Sequence, residues 1–171
     1  TLGRDLLLSD THGAVLRVDT NGRVLARWTL PERLFGGISV APDGKTIYAL
    51  AATRVYRIDP ATGAINSWPL SAPTTALGDP YQAILALDAH RIAITNLGLH
   101  RLDLYTPDGT SLGAWGKHGI WPGEFQQVGS LARDAHGQVY VCDFDGRVVQ
   151  RFSPSGKINA LYWSPDDDEV D

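Results

Sequence analysis

The sequence contains no methionine and a single cysteine, Cys142. One thiol excludes an intrachain disulfide and any cysteine-cluster metal site. No apolar run approaches the roughly 18 residues that cross a bilayer, and no charged start followed by an apolar core marks a signal peptide. A surplus of positive charge is also missing. The formal net charge is −4, but Asp166, Asp167, Asp168, Glu169 and Asp171 supply five of the negative charges, so residues 1–165 hold 15 basic against 14 acidic groups. Without a basic stripe nothing neutralises phosphates, which makes nucleic acid a poor partner, and no polybasic patch suits an anionic membrane surface. A start at Thr1 with no methionine anywhere is expected of a processed product or of part of something longer.

What the chain has instead is glycine and proline, 18 and 10 of its 171 residues. That frequency argues against helical bundles and coiled coils. With 43% hydrophobic and 20% charged residues the chain has the composition of a soluble globular protein with a buried core.

The glycines are not scattered. Four segments share a short β-rich run, a turn ending in glycine and a second run closing on tryptophan: Val15 to Gly22 and Trp28, Val55 to Gly63 and Trp68, Leu102 to Gly109 and Trp115, and Val148 to Gly156 and Trp163. The glycines lie 41, 46 and 47 residues apart, and the glycine-to-tryptophan offsets are 6, 5, 6 and 7. Asn-Gly, Thr-Gly, Asp-Gly and Ser-Gly supply the positive φ of tight hairpin turns, so each segment predicts two antiparallel strands. Three segments have a further strand pair upstream: Ile38–Val40 with Ile47–Leu50, Ile84–Leu87 with Ile92–Ile94, and Leu131–Ala132 with Val139–Val141. Four strands every 40 to 50 residues is the period of a β-propeller blade. An antiparallel sandwich also has regularly spaced strands, but lacks an aromatic residue returning in register. The predicted fold is all-β, with about 3.75 four-stranded antiparallel propeller blades in a partial or open ring. They form a partial blade over 1–37, blades over 38–81, 82–126 and 127–163, and an acidic tail over 164–171.

Gly123-Glu124-Phe125, Leu131 to Asp143 with its Asp134-Ala135-His136-Gly137 turn and Val139-Tyr140-Val141-Cys142-Asp143 strand, and Gly146-Arg147-Val148-Val149-Gln150-Arg151-Phe152 with Gly156 closely resemble an NHL repeat. The other units depart from that pattern. Ala51-Ala52 replaces the acidic end of the second strand in one, which is similar to YncE-like and other bacterial propellers. In another, His90-Arg91 replaces the first turn glycine and Asn96 stands where Asp143 does. The resemblance spans residues 5 to 163. It implies a propeller of usually six blades that binds protein, peptide, sugar or RNA on one face. It also implies a packed Phe125 and an extracytoplasmic, periplasmic or extracellular, location. A minority of such propellers are lyases, with metal and catalytic groups near the central channel.

Leu6 to Asp10 aligns with Val139 to Asp143, so the innermost strand of the first blade falls before Thr1. The tail from Ser164 cannot replace it, because it contains Pro165 and five charges that a channel wall would bury unpaired. Either the rest of a six- to eight-bladed ring lies outside this numbering, or a partial propeller packs its open edges against another chain, or four blades close on themselves. An open edge is a pairing template, so a free monomer is expected to associate.

Propeller function resides in face loops. The stretch from Gly113 to Gln127 is the richest, and Lys117, His118, Trp121 and Glu124 are its candidate partner-binding residues, as an aromatic and cationic surface. Of the five histidines, His90 and His136 occupy matching turns, a two-residue start for zinc with no third ligand. Asp10, Asp143 and Asp145, with Asn96 in register, offer oxygens for calcium, although such residues commonly cap turns. No nucleophile elbow, phosphate loop or His-Glu-x-x-His motif is present, so no catalytic residue, metal or cofactor is assigned. The expectation is a non-catalytic protein-interaction scaffold, an NHL-like module or subunit of a larger assembly, whose partner covers the open blade edges. Two alternatives are a propeller lyase or hydrolase with a metal-dependent centre completed by other blades, and a carbohydrate- or peptide-binding module.

Overall fold

The structure is a computed structural model that describes residues 3–70 and 81–163. The acidic tail expected over 164–171 lies outside the described residues. Among these, 15 strands and no helix form four antiparallel sheets. Sheet 1 comprises β1 (Leu6–Ser9), β2 (Ala14–Val18) and β3 (Val24–Thr29). Sheet 2 comprises β4 (Leu34–Val40), β5 (Ile47–Ala51), β6 (Arg54–Ile58) and β7 (Ile65–Pro69). Sheet 3 runs through β8 (Tyr81–Ala86), β9 (Ile92–Asn96), β10 (Arg101–Tyr105) and β11 (Ser111–Trp115), and sheet 4 through β12 (Val128–Arg133), β13 (Val139–Asp143), β14 (Val148–Phe152) and β15 (Ile158–Trp163). In every sheet, strands are ordered as they occur in the chain.

The turns explain why these hairpins form. Asp19 accepts hydrogen bonds from the backbone N–H groups of Asn21 and Arg23 through one carboxylate oxygen, and Gly22 completes the turn at φ 83°. Asp134 bonds in the same way to His136 and Gln138. These side chains replace backbone partners that a short loop cannot offer.

Each sheet packs one face forward on the next. Val15, Trp28 and Leu30 of sheet 1 meet Ile47, Ala49 and Ile58 of sheet 2. Tyr48, Leu50, Val55 and Trp68 then meet Tyr81, Ile92 and Ile94 of sheet 3, while Ala93, Leu102, Leu104 and Trp115 meet Val139, Val141 and Phe152 of sheet 4. Period-two alternation sends successive residues of one strand into different cores, so the central strands read as unbroken apolar runs. The inner strands β4, β8 and β12 follow one another in contact, and β1, which holds the second-strand place in its sheet, also meets β4. Ser39 joins two of them by accepting the N–H of Ala86 at 2.9 Å.

The recurring aromatic residue is a knob. The Trp28 indole lies 4.0 Å from where a Cβ on Gly63 would be. Such a Cβ on Gly109 or Gly156 would lie within 2.6 Å of Trp68 or 2.4 Å of Trp115, so each glycine is the bare floor on which the previous sheet's indole rests. In sheet 4 the sequence expectation of Trp163 in this register is corrected. Trp28, Trp68 and Trp115 pair with Val15, Val55 and Leu102, each three residues before the end of the third strand. The residue in that place in β14 is Val149, whose partner is Tyr162. Trp163 pairs with Val148 and faces back toward sheet 3. Bulges in the β2–β3, β10–β11 and β14–β15 pairs give a glycine-to-knob offset of 6, and the unbulged β6–β7 pair gives 5.

Candidate functional site

Residues 116–127 connect β11 to β12 and stand on a base built by sheets 3 and 4. The loop turns at Gly116, where φ is 82° and a Cβ would come within 2.3 Å of the Phe125 ring. Phe125 is fully buried and packs against Phe152 with ring centroids 6.0 Å apart. Its backbone closes the loop, donating to Lys117 O at 2.8 Å and accepting from Gly119 N at 3.1 Å.

Three side chains fix the base from outside the loop. Gln150, buried on β14, accepts the N–H of Gly123 at 2.8 Å and donates to the carbonyl of Glu124 at 2.6 Å. Asp143, at the end of β13, accepts the N–H groups of Gln126 and Gln127 at 2.9 and 2.8 Å, and that of Gly146 at 3.2 Å. His100 Nδ1 lies 2.5 Å from the carbonyl of Gln126, and its ring centroid is 4.4 Å from that of His118.

On this base Ile120 and Trp121 project outward, Trp121 being 69% exposed. Trp163 from β15, 63% exposed, joins Ile120, Trp121, Pro122, Val148 and Leu161 around an open pocket of about 460 Å³. Of the polar residues in its lining, Asp143 and Gln150 are committed to the backbone bonds just described, while Glu124 and Gln126 add a carboxylate and a side-chain amide at its rim. The lining is mainly apolar and aromatic and suits an apolar side chain.

The structure brings Lys117 and Glu124 together at 3.1 Å, and Glu124 also accepts the N–H of Trp121 at 3.2 Å. These two residues thus clamp the loop that carries Trp121, while His118 lies behind it against His100. Lys117, followed by the Trp121 N–H, holds the Glu124 carboxyl below its ordinary value of 4.5. A carboxylate lowered in this way stabilises the fold above pH 4.5, and the contribution is lost as pH falls through the lowered value. The tryptophan emission absent from Trp121→Phe is expected to show an acid midpoint below pH 4.5, moving up toward 4.5 in Lys117→Gln. A wild-type midpoint at or above 4.5 would contradict the clamp.

His90 and His136 are exposed in matching turns, where their backbone N–H groups bond to Asp88 and Asp134. Asp10 accepts the N–H groups of His12 and Ala14 in its own hairpin, whereas Asp143 ties a strand to the loop. The amide of Gln127, turned to satisfy its neighbours, donates to Asp145 at 3.1 Å. Asn96 donates to Asp103 at 2.7 Å and accepts Leu99 N at 3.1 Å. Among the described residues no three His, Cys, Asp or Glu side chains gather as a metal site. Cys142 is half-buried, and burial pushes its thiol pKa up. Sequence reasoning passed over Gln150 and Trp163. The signal for Gln150 was a polar residue at an inward position between Val148 and Phe152.

No family model matches the chain, and no curated protein does. Solved structures match over nearly its whole length. A catalytically inactive virginiamycin B lyase from Staphylococcus aureus, solved with quinupristin, is 16% identical with a TM-score of 0.66, over 94% of this chain and 52% of the other. A streptogramin B lyase is 14% identical with a TM-score of 0.67, over 95% and 52%. A protein of unknown function from Bacteroides caccae is 13% identical with a TM-score of 0.69, over 99% and 61%. The chain spans about half the length of the two lyases. At these identities the likeness carries the architecture alone, and that architecture is the β-propeller.

Proposed function

We propose that the chain is a non-catalytic protein-interaction scaffold, an NHL-like propeller module that seats an apolar anchor of a partner polypeptide between Trp121 and Trp163. The observation that carries this reading is the pairing of two largely exposed indoles across a mainly apolar pocket whose floor residues Asp143 and Gln150 are already bonded. Exposed aromatic residues on a rigid base lose little entropy when they bind, and such residues dominate binding energies. A peptide library displayed on phage tests it, selected on the wild type and counter-selected on the Trp121→Ala, Trp163→Ala double variant. Enriched peptides should carry an aromatic or aliphatic anchor, bind the double variant at least about tenfold more weakly, and leave its melting temperature nearly unchanged. Peptides that bind both proteins equally would overturn the reading.

A second reading is a propeller lyase or hydrolase with a metal-dependent centre completed outside these residues. It is favoured by the two lyases of the same architecture. Stoichiometric zinc or calcium in the full-length protein, with activity lost on chelation, would establish it over the scaffold.

A further inference from the structure

At the end of the sheets away from the Trp121 loop, the β8–β9 turn of sheet 3 and the β12–β13 turn of sheet 4 flank a groove of about 290 Å³. Sheets 3 and 4 share a core, so the groove is complete between these two neighbours. Arg91 lines it from sheet 3 and Arg133 from sheet 4. Arg91 Nε donates to Asp88 Oδ2 at 2.8 Å and Nη2 lies 2.7 Å from the same oxygen, which fixes this guanidinium in its own turn with N–H groups to spare. Arg133 has no such tie. It ends β12 opposite Val139, a residue of the core shared by sheets 3 and 4, so its side chain leaves the strand toward sheet 3. It is half-buried, and among the described residues no carboxylate pairs with it. The adjacent Asp134 is spent on its own hairpin: one oxygen accepts the N–H groups of His136 and Gln138, and the other accepts the Tyr140 hydroxyl at 3.3 Å. The groove therefore holds two guanidinium groups against the single carboxylate of Asp88. A cation partly withdrawn from water without a counter-charge gains from an anion placed beside it.

We propose that this groove is a binding site for a small phosphate monoester, with the phosphoryl oxygens held between Arg91 and Arg133. Planar guanidinium groups present paired N–H donors that match the spacing of phosphate oxygens. A phosphate monoester carries close to two negative charges near neutral pH and three free oxygens, so it supplies the charge that Asp88 leaves unbalanced and reaches both arginines at once. A carboxylate has one charge and two oxygens, which suits one guanidinium. His136, at the rim, adds an imidazole N–H. The rest of the lining includes Leu87, Ala135 and Pro154, an apolar surface for the carbon side of the ester. The volume lies at the lower bound for small-molecule pockets and holds one such group. The site is separate from the Trp121 pocket, because β12 lies between them: residues 116–127 lead into its first residue, and the Asp134 turn leaves its last.

An NMR titration of the whole chain with phenyl phosphate tests this. Saturable shifts are expected at the amides of Arg91, Arg133 and His136, with a dissociation constant on the order of 1 mM or tighter, and binding at least about tenfold weaker in Arg133→Gln and in Arg91→Gln. Arg57→Gln, which removes an exposed arginine of sheet 2, should bind like wild type, and so separates a site from general charge attraction. Circular dichroism reports whether each variant folds. Ala135→Asp adds a carboxylate to the groove without removing a cation, and replaces either groove variant that does not fold. Inorganic phosphate should bind more weakly than phenyl phosphate because it leaves the apolar lining unused, and benzoate at least about tenfold more weakly. Shifts that fail to saturate by about 20 mM overturn the proposal. So does undiminished binding by Arg133→Gln, an equal loss in Arg57→Gln, or binding of benzoate or inorganic phosphate as tight as that of phenyl phosphate.

Discussion

Replacing Phe125 with alanine should lower the unfolding free energy by about 3–5 kcal/mol, as expected for truncating a fully buried aromatic residue. For a chain of this size that corresponds to a fall in melting temperature of roughly 6–20 °C. Phe125 fills the space left open by Gly116, packs on Phe152 and belongs to the core between sheets 3 and 4. Its backbone also closes the loop that carries Trp121. Truncation should therefore reduce stability and peptide binding together, whereas the change at Trp121 reduces binding alone. Phe125→Leu, which keeps most of the volume, should cost less than half as much. Calorimetry on the three proteins measures the order, and a Phe125→Ala melting temperature within 2 °C of wild type, taken as about 1 kcal/mol or less, would contradict it.

The second large effect is expected at Asp143. Asp143→Ala removes the acceptor of three backbone donors, Gln126 N, Gln127 N and Gly146 N, in a place where the carboxylate itself is buried. Each stranded donor costs about 1–3 kcal/mol when water cannot reach it, so a loss of about 3 kcal/mol is expected after partial solvation. Asp143→Asn keeps one oxygen and turns an amide toward a donor, so it should retain about half of the stability lost in Asp143→Ala. Urea denaturation with an unchanged slope would show these as losses of native-state bonding. An alanine variant as stable as wild type would show that water replaces the carboxylate fully.

Much of the architecture was legible because hairpin chemistry is local. Asn21-Gly22, Thr62-Gly63, Asp108-Gly109 and Ser155-Gly156 each announce a turn within a few residues, and the structure has hairpins at all four. The register of the last aromatic residue was not legible. The β14–β15 pair has the same bulge as β2–β3 and β10–β11, but with tryptophan next to tyrosine the sequence offers two candidates for one position. Pairing alone distinguishes Tyr162 from Trp163. The site was legible in part. The density of aromatic and charged residues pointed to 113–127, but the far wall, Trp163 and Leu161, lies some forty residues away and is joined only by the packing of sheet 4 on sheet 3. The engagement of Lys117 with Glu124 is likewise a matter of how the loop folds back on itself, which composition does not encode.

The ordering of strands within each sheet bears on how the molecule assembles. Among the described residues every sheet is one continuous stretch of chain, so its hydrogen-bonded ladders close locally, and sheets are joined to one another by side-chain packing with a few hydrogen bonds such as that from Ala86 N to Ser39. A chain built this way folds through units of about forty residues, each of which needs a neighbour to bury its apolar faces, so stability passes from neighbour to neighbour as in a one-dimensional array. Among the described residues, sheets 2 and 3 are covered on both faces, and their amide hydrogens are expected to resist exchange to a similar degree because each shares a core with both neighbours.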